Sequence, residues 1–193
     1  MNYEIRIFNK ETDTKYLKQM QDIADEGLSP GFLTDKVMSN FGNDDYFCFF
    51  AVDENDTVCC VSYGNFFGIE DAAYELRCSV EEVERLFPGV KVFSSHLGLS
   101  VRPDTRGNGI ARKVLGLNRQ YVLSRADVVF NDVWNRHGGE VPIVTLLVSL
   151  GAVFYKKLPK YWYDYPDLHC TLCNGRCVCD CDMYYYTKEG FKL

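Results

Sequence analysis

The turn Arg106-Gly107-Asn108-Gly109 sets one guanidinium beside two residues that lack a Cβ, and an apolar strand, Leu97 to Val101, leads into it. An amphipathic helix begins at once. Ile110, Val114, Leu117 and Tyr121 recur at helical spacing, Ala111, Leu115 and Val122 widen the stripe, and Arg112, Lys113, Asn118 and Arg119 take the other side. Strand, turn and helix in this order make an anion cradle. The first helical turn carries backbone N–H groups without intrahelical partners, and the helix dipole favours negative charge there. Glycine lets the backbone approach the anion, and Arg106 can add a charge-assisted contact.

A second reactive group is His169-Cys170-x-x-Cys173-x-x-x-Cys177-x-Cys179-x-Cys181, where five of the nine cysteines fall within twelve residues. Cys-x-x-Cys is the usual knuckle of a tetrahedral zinc site, and four ligands can be drawn from these six candidates. Soft thiolates select zinc over hard cations. Cys177, Cys179 and Cys181 would share one face of a strand, so that one or two of them complete the shell with Cys170 and Cys173. Reduced free thiols, disulfides and an iron–sulfur cluster are the alternatives. A structural metal would pin an insert, Pro159 to Asp182, that is too polar to fold alone. Cys48, Cys59, Cys60 and Cys78 read as ordinary buried cysteines.

Which phosphate ligand the turn holds follows from what it lacks. A Walker A loop needs a lysine and a hydroxyl after its last glycine, and here Ile110 and Ala111 stand there. A dinucleotide-binding fingerprint needs a third small residue where Arg112 stands. The stretch resembles motif A of the GNAT acetyltransferases, Val-x-Pro-x-x-Arg-Gly-x-Gly-Ile-Ala, matched by Val101, Pro103, Arg106, Gly107, Gly109, Ile110 and Ala111. The resemblance implies an α/β fold with a mixed sheet flanked by helices. It implies direct transfer of acetyl from acetyl-coenzyme A to an amine, with the pyrophosphate bound at Arg106, Gly107, Asn108, Gly109, Ile110 and Ala111. Backbone contacts to acetyl and pantetheine would come from Leu99, Ser100 and Val101.

The same resemblance leaves the proton-transfer groups open. Family members often carry Glu or His six or four residues before the motif valine, and here those positions are Ser95 and Leu97. His96 lies between them and faces the other way in a regular strand, although a bulge could re-aim it. Glu26, after the first helix, is the other candidate base. The tyrosine many members use as general acid is replaced by Leu147, leaving Ser149, Tyr155 or no acid at all. Asn131 and Asn135 are candidates for touching the pantetheine arm; they are equally turn formers. The aromatic run Tyr161-Trp162-Tyr163-Asp164-Tyr165-Pro166 either caps the core or walls an amine pocket, with Asp164 or Asp167 drawing in a cation.

The elements that must position these groups follow from periodicity. Tyr3 to Phe8 alternates as a strand, and Asp13 can cap a helix running through Tyr16, Leu17, Met20, Ile23 and Ala24 to Gly27. Thr34 caps a short helix to Phe41. Tyr46 to Val52 and Val58 to Phe67 form a hairpin around Asp53-Glu54-Asn55-Asp56, and Ser79-x-x-Glu82 is a capping box. Val90 to Val101 and Val128 to Trp134 are strands, Pro142 opens a helix to Leu150, and Val153 to Lys157 and Met183 to Thr187 are the last two strands. The expectation is one domain over residues 1–193, with the cysteine-rich insert at about 159–182.

Composition bounds the rest. A chain of 193 residues, 47% apolar and 25% charged, has the make-up of a globular protein. No apolar run approaches a membrane span, and Met1 to Lys10 lacks a signal-peptide core, so a cytoplasmic protein is expected. A net charge of −6 argues against a broad nucleic-acid-binding face and suits a cationic amine or basic peptide. Within the same fold the acceptor could be a protein or a charged tRNA. Outside catalysis, the chain could sense coenzyme A and dock a partner through its cysteine knuckle. A homodimer stays open.

Overall fold

A computed structural model describes residues 2–135 and 141–188. In chain order the elements are β1 (Tyr3–Ile7), α1 (Leu17–Gly27), α2 (Asp35–Met38), β2 (Tyr46–Asp53), β3 (Val58–Phe67), α3 (Ile69–Glu75), α4 (Val80–Leu86), β4 (Phe93–Val101), α5 (Ile110–Arg125), β5 (Val128–Asn135), α6 (Pro142–Ser149), β6 (Val153–Leu158), β7 (His169–Cys170), β8 (Gly175–Arg176) and β9 (Asp180–Thr187). Seven strands form one sheet in the order β1-β2-β3-β4-β5-β9-β6, and β7 pairs with β8 apart from it. Every neighbouring pair in the large sheet is antiparallel except β4 and β5, which α5 joins as a parallel crossover. Among the described residues no helix is long and apolar enough to cross a membrane.

Helices cover both faces of the sheet, which explains why β2 and β3 are apolar almost throughout rather than alternating. On one face α5 and α6 bury Ile110, Val114, Val122 and Leu147 against Phe47, Phe49, Val129 and Val133. On the other, α1 and α2 lie over β2 and β3 through Tyr16, Met20, Met38 and Phe50. Beside them α3, α4 and the cysteine-rich segment cover β4, β5 and β9 through Leu76, Val83, Phe87, Phe93, Phe130 and Trp162.

The caps read from sequence form in two of three places. Thr34 Oγ1 accepts from Val37 N at 3.3 Å, and Ser79 Oγ accepts from Glu82 N at 3.3 Å. Asp13 instead accepts from Asn9 N at 2.9 Å, and a short 3-10 turn, Thr14–Tyr16, intervenes before α1. α3 and the small β7–β8 hairpin are additions to the expected order, and β9 starts at Asp180 rather than Met183.

The functionally important feature is where pairing fails. β4 and β5 are in register only from Phe93 with Val128 to His96 with Asn131. Beyond that, Gly98–Val101 stays with β3 while Asp132–Asn135 stays with β9. The two parallel neighbours therefore part and open a wedge between them. A bulge lies at the fork: Tyr63 pairs with Gly98 and Gly64 with His96, leaving Leu97 as the extra residue. It reverses the alternation, so that His96 on one side of it and Leu99 and Val101 on the other all face α5.

Two glycines permit this geometry. A Cβ at Gly64 would overlap the Ser95 carbonyl oxygen and the Phe47 ring, and one at Gly98 would press on the Tyr63 ring. Gly64→Ala should therefore lower stability by roughly 1–3 kcal/mol, the range for forcing atoms into a packed site. Urea unfolding reads this directly, and an unchanged midpoint would contradict the packing described.

Candidate acyl-transfer site

The glycine turn and the helix start expected of an anion cradle are both present. A 3-10 turn, Pro103–Thr105, leads from β4 into the loop, and Gly109 caps α5 in the left-handed conformation. Gly107 and Gly109 have φ of +80° and +73°, and an added Cβ would meet no protein atom at either. Conformation, not crowding by the protein, is what demands glycine here. The side chains around the loop are spent on shaping it. Thr105 Oγ1 donates to Arg102 O at 2.9 Å, Asn108 Nδ2 to Thr105 O at 3.1 Å, and Arg106 Nε to Val101 O at 3.0 Å. The N–H groups opening α5 are left facing outward, because Lys113 is the first whose N–H reaches back, to Gly109 O at 3.2 Å. Arg106 and Arg112, both exposed, stand at this mouth.

From the cradle a cleft of about 660 Å³ runs through the wedge between β4 and β5. Leu97 to Val101 line one side, Asn131 to Trp134 the other, and α6 the outer edge. Arg106, Gly107, Gly109, Ile110, Ala111, Leu99, Ser100 and Val101 are thus brought to one surface. The inner edge of β4 past His96 has no strand partner, so its backbone groups are available to a ligand. Ser100 turns the other way, with its buried hydroxyl against Gly27 of α1.

Of the expected proton-transfer residues, His96 borders the cleft and Ser149 and Tyr155 do not. His96 is buried beneath α5, its Nδ1 2.8 Å from Asn131 Oδ1, its Nε2 2.9 Å from Asn118 Oδ1, and the Tyr186 hydroxyl 3.2 Å from Nδ1. Burial lowers its pKa, and both ring nitrogens are occupied. It sits at the fork, held among these side chains, on the opposite face of the sheet from the acid described below. Ser149 is exposed at the end of α6, its hydroxyl donating to Leu146 O at 2.7 Å, outside the cleft. Tyr155 lies on β6 beside Tyr185, also outside it, and burial raises its pKa. Glu26 is exposed on α1. Asn135 donates to Asp182 Oδ2 at 2.8 Å, and residues 136–140 after it lie outside the described residues.

What the sequence did not reveal is Asp132. It sits on the diverging half of β5, lines the cleft, and has an enclosed Oδ1 without a hydrogen-bond partner among the described residues. Burial, and then the nearby Glu75 carboxyl, push its pKa well above the ordinary carboxylate range. Glu75 is itself raised by burial and accepts from the Tyr161 hydroxyl. The available signal was an acid within the apolar run Val128 to Trp134, one position past the last residue paired to β4. Beyond Asp132 the cleft ends in an aromatic wall. Phe32 packs on Trp134 at 5.6 Å and on Trp162 at 5.2 Å between ring centroids, and all three line the cleft.

Cys170, Cys173, Cys177 and Cys179 converge behind that wall, their sulfurs within 4.8 Å of one another, a set that could hold a metal ion. Cys181 does not join them. It belongs to β9, opposite Trp134 and Leu158, buried on the side of Asp132. The expectation that Cys177, Cys179 and Cys181 share a strand face fails because β9 begins only at Asp180. His169 is exposed, outside the cluster.

No protein-family model and no curated protein matches the chain. Solved structures do. Arabidopsis thaliana NAA60 in complex with acetyl-CoA superposes with a TM-score of 0.71 at 14% identity, covering 98% of this chain and 100% of that one. The ribosomal-protein-S18-alanine N-acetyltransferase from Escherichia coli gives 0.64 at 12% identity, with 100% of both chains covered. The spermidine/spermine N-acetyltransferase SpeG from Vibrio cholerae, in mutant forms, gives 0.60 at 11% identity over 98% of this chain and 97% of that one. With a seven-stranded sheet parted between β4 and β5 and a glycine turn feeding α5, the chain has the GNAT acyl-CoA N-acyltransferase fold.

Proposed function

We propose that this chain is an N-acetyltransferase that moves acetyl from acetyl-coenzyme A to a primary amine on a small molecule or a peptide. One observation carries the reading: a single cleft connects an anion cradle to a buried carboxyl through the gap where β4 and β5 part. The pyrophosphate belongs on the N–H groups opening α5, with Arg106 and Arg112 adding charge. The pantetheine arm lies along the unpaired edge of β4, whose backbone N–H groups can meet the thioester oxygen as it gains charge. A module that only sensed coenzyme A would have no use for an unpartnered acid at the far end. The four clustered cysteines are read as holding a structural zinc.

Asp132 is the base in this reading. Tyr63, Tyr161, Tyr165 and Cys181 also surround it, and burial keeps each of them protonated at neutral pH, leaving Glu75 as the neighbouring acid. An arriving ammonium favours the ionised carboxylate it meets. Its first proton passes to Asp132 and on to water. The free amine nitrogen then bonds to the acetyl carbon as the carbon–sulfur bond breaks. The second amine proton, shed in that step, neutralises the departing thiolate. No separate general acid is needed, consistent with Ser149 and Tyr155 lying outside the cleft.

Thiol release measured over a panel of polyamines, amino-acid amides and short peptides should identify an acceptor; coenzyme A binding without turnover on any of them would sink the enzymatic reading. Asp132→Asn should lower kcat roughly 10²–10⁴-fold while coenzyme A still binds. In the parent, kcat/KM should rise with pH through the raised pKa of Asp132, and that limb should vanish in the variant. Stability runs the other way. A carboxyl whose pKa is raised on folding binds its proton more tightly in the folded state, so its ionisation destabilises the fold as pH climbs above the unfolded value near 4. Asp132→Asn should therefore unfold at a higher temperature than the parent at neutral pH, a gain absent at pH 3.

At the other end of the cleft, Gly109→Val places a β-branched residue at φ +73°. Strain of about 1–3 kcal/mol should weaken coenzyme A binding roughly ten- to hundredfold by calorimetry. An unaltered affinity would remove the cradle from the mechanism.

A further inference from the structure

We propose that the four-cysteine centre is a metal site that builds the acceptor wall of the cleft, so that bound metal governs acceptor recognition and leaves the coenzyme A cradle alone. This rests on reading the cleft as an acyl-transfer site. The metal itself stands on separate geometry. Sulfurs bound to zinc at about 2.3 Å in a tetrahedron lie about 3.8 Å apart. Here Cys170 and Cys173 lie 3.9 and 3.6 Å from Cys179. A disulfide would require about 2.0 Å, far shorter than either separation. Two backbone N–H groups point at sulfur, Cys173 N at Cys170 Sγ (3.3 Å) and Val178 N at Cys173 Sγ (3.5 Å), as thiolate ligands need to offset their charge.

Three connections tie this centre to the wall. Cys170, Cys177 and Cys179 are buried in one packed cluster with Trp134 and Trp162, the two rings that line the cleft. Trp134 then packs on Phe32, and Phe32 on Trp162. The loop carrying Phe32 is also clasped by the knuckle itself. Thr171, inside the Cys170-x-x-Cys173 turn, donates from its N–H to Ser29 Oγ at 3.3 Å, and the two hydroxyls lie 3.2 Å apart. His169 N donates to Pro30 O at 3.1 Å. Gly31, at φ +95°, lies so close to the insert that a Cβ would overlap the Asp167 carbonyl oxygen.

The clasp has little else to hold it. Between Pro159 and Cys179 the regular structure is one 3-10 turn, Tyr161–Asp164, and the two-residue strands β7 and β8. A hairpin of that size does not order itself, whereas a metal bound by four thiolates supplies folding energy directly. The cradle, in contrast, is made from the end of β4, the turn after it and the start of α5, all outside the insert.

The test uses the full chain. Protein purified without added metal should carry about one equivalent of zinc, and cobalt(II) exchanged into it should show thiolate charge-transfer absorption with the intense visible bands of a tetrahedral site. Both tryptophans of the chain belong to the wall, so chelation should shift their emission to the red and raise acrylamide quenching, while coenzyme A affinity by calorimetry changes less than twofold. These readouts need no acceptor, so a failure of acetyl transfer leaves them intact. Because a cysteine variant could unfold the insert, Thr171→Val serves as the second variant. It removes the hydroxyl contact of the clasp without touching a thiol and leaves the Thr171 N–H on Ser29 in place, so it should keep its zinc and its coenzyme A affinity while raising acceptor KM several-fold. Metal-free protein with shielded tryptophans would overturn the metal site. Equal loss of coenzyme A and acceptor binding on chelation, or an unchanged KM in Thr171→Val, would overturn its role in the wall.

Discussion

Everything functional in this molecule depends on two parallel strands that stop pairing. In an uninterrupted sheet the edges of β4 and β5 would satisfy each other, and no ligand could lie between them. Here each strand keeps its outer neighbour, so both remain anchored while the inner edges separate. The fork is fixed by buried polar contacts rather than by apolar packing. His96 and Asn131 are the last paired residues, and their side chains meet each other, with Asn118 of α5 and Tyr186 of β9 closing the group. Asn118 in turn donates to Ser62 on β3 at 3.0 Å, which links both sides of the fork to the helix above it. Such a network has demanding geometry, and the point of divergence inherits it.

The cleft that results is polar in a lengthwise sense. One end offers a helix N-terminus, Arg106 and Arg112; the other offers Asp132 with Glu75 behind it. On the proposed reading, an anionic donor and a cationic acceptor would enter at opposite mouths and meet where the backbone edge is free. The chain's net charge of −6 gives no hint of this, because the sum conceals the separation. The aromatic wall supports the same polarity, since ring faces tolerate a cation that an aliphatic wall would reject.

The cradle was legible in the sequence because its requirements are local. Two residues must sit at positive φ, a helix must start immediately, and glycine followed by an apolar periodicity says both. The sheet order was legible for a similar reason, each strand and its connection being short and strongly patterned. The proton-transfer groups were not, because they depend on contacts across the chain. His96 could be read as a base only if a bulge turned it toward the acceptor. A bulge does exist, but it falls after His96, at Leu97, and re-aims the following residues instead. Asp132 was passed over because alternation in a strand makes a lone acid look solvent-facing, and only the covering segments around Glu75 and Tyr161 make that face an interior one. The cysteine ligands turned on where β9 starts: Cys177 and Cys179 precede the strand and can curl round a common centre, whereas Cys181 within it is committed to the core.

The position of the insert follows from the sheet. β9 lies between β5 and β6, so the connection from β6 must end at the strand that flanks the diverging half of β5. An added segment there emerges beside the Asp132–Asn135 half of β5, which lines the cleft across from β4. A longer segment at that point can reshape what the site admits without disturbing how the donor is held. It must still be ordered, and Pro159 to Cys179 contributes few apolar side chains beyond Tyr161, Trp162, Leu168 and its own cysteines. The cysteines can serve twice: as buried, weakly polar groups they extend the core over Phe130 and Met183, and with the proposed metal their convergent sulfurs would cross-link the turn that clasps the loop before Phe32.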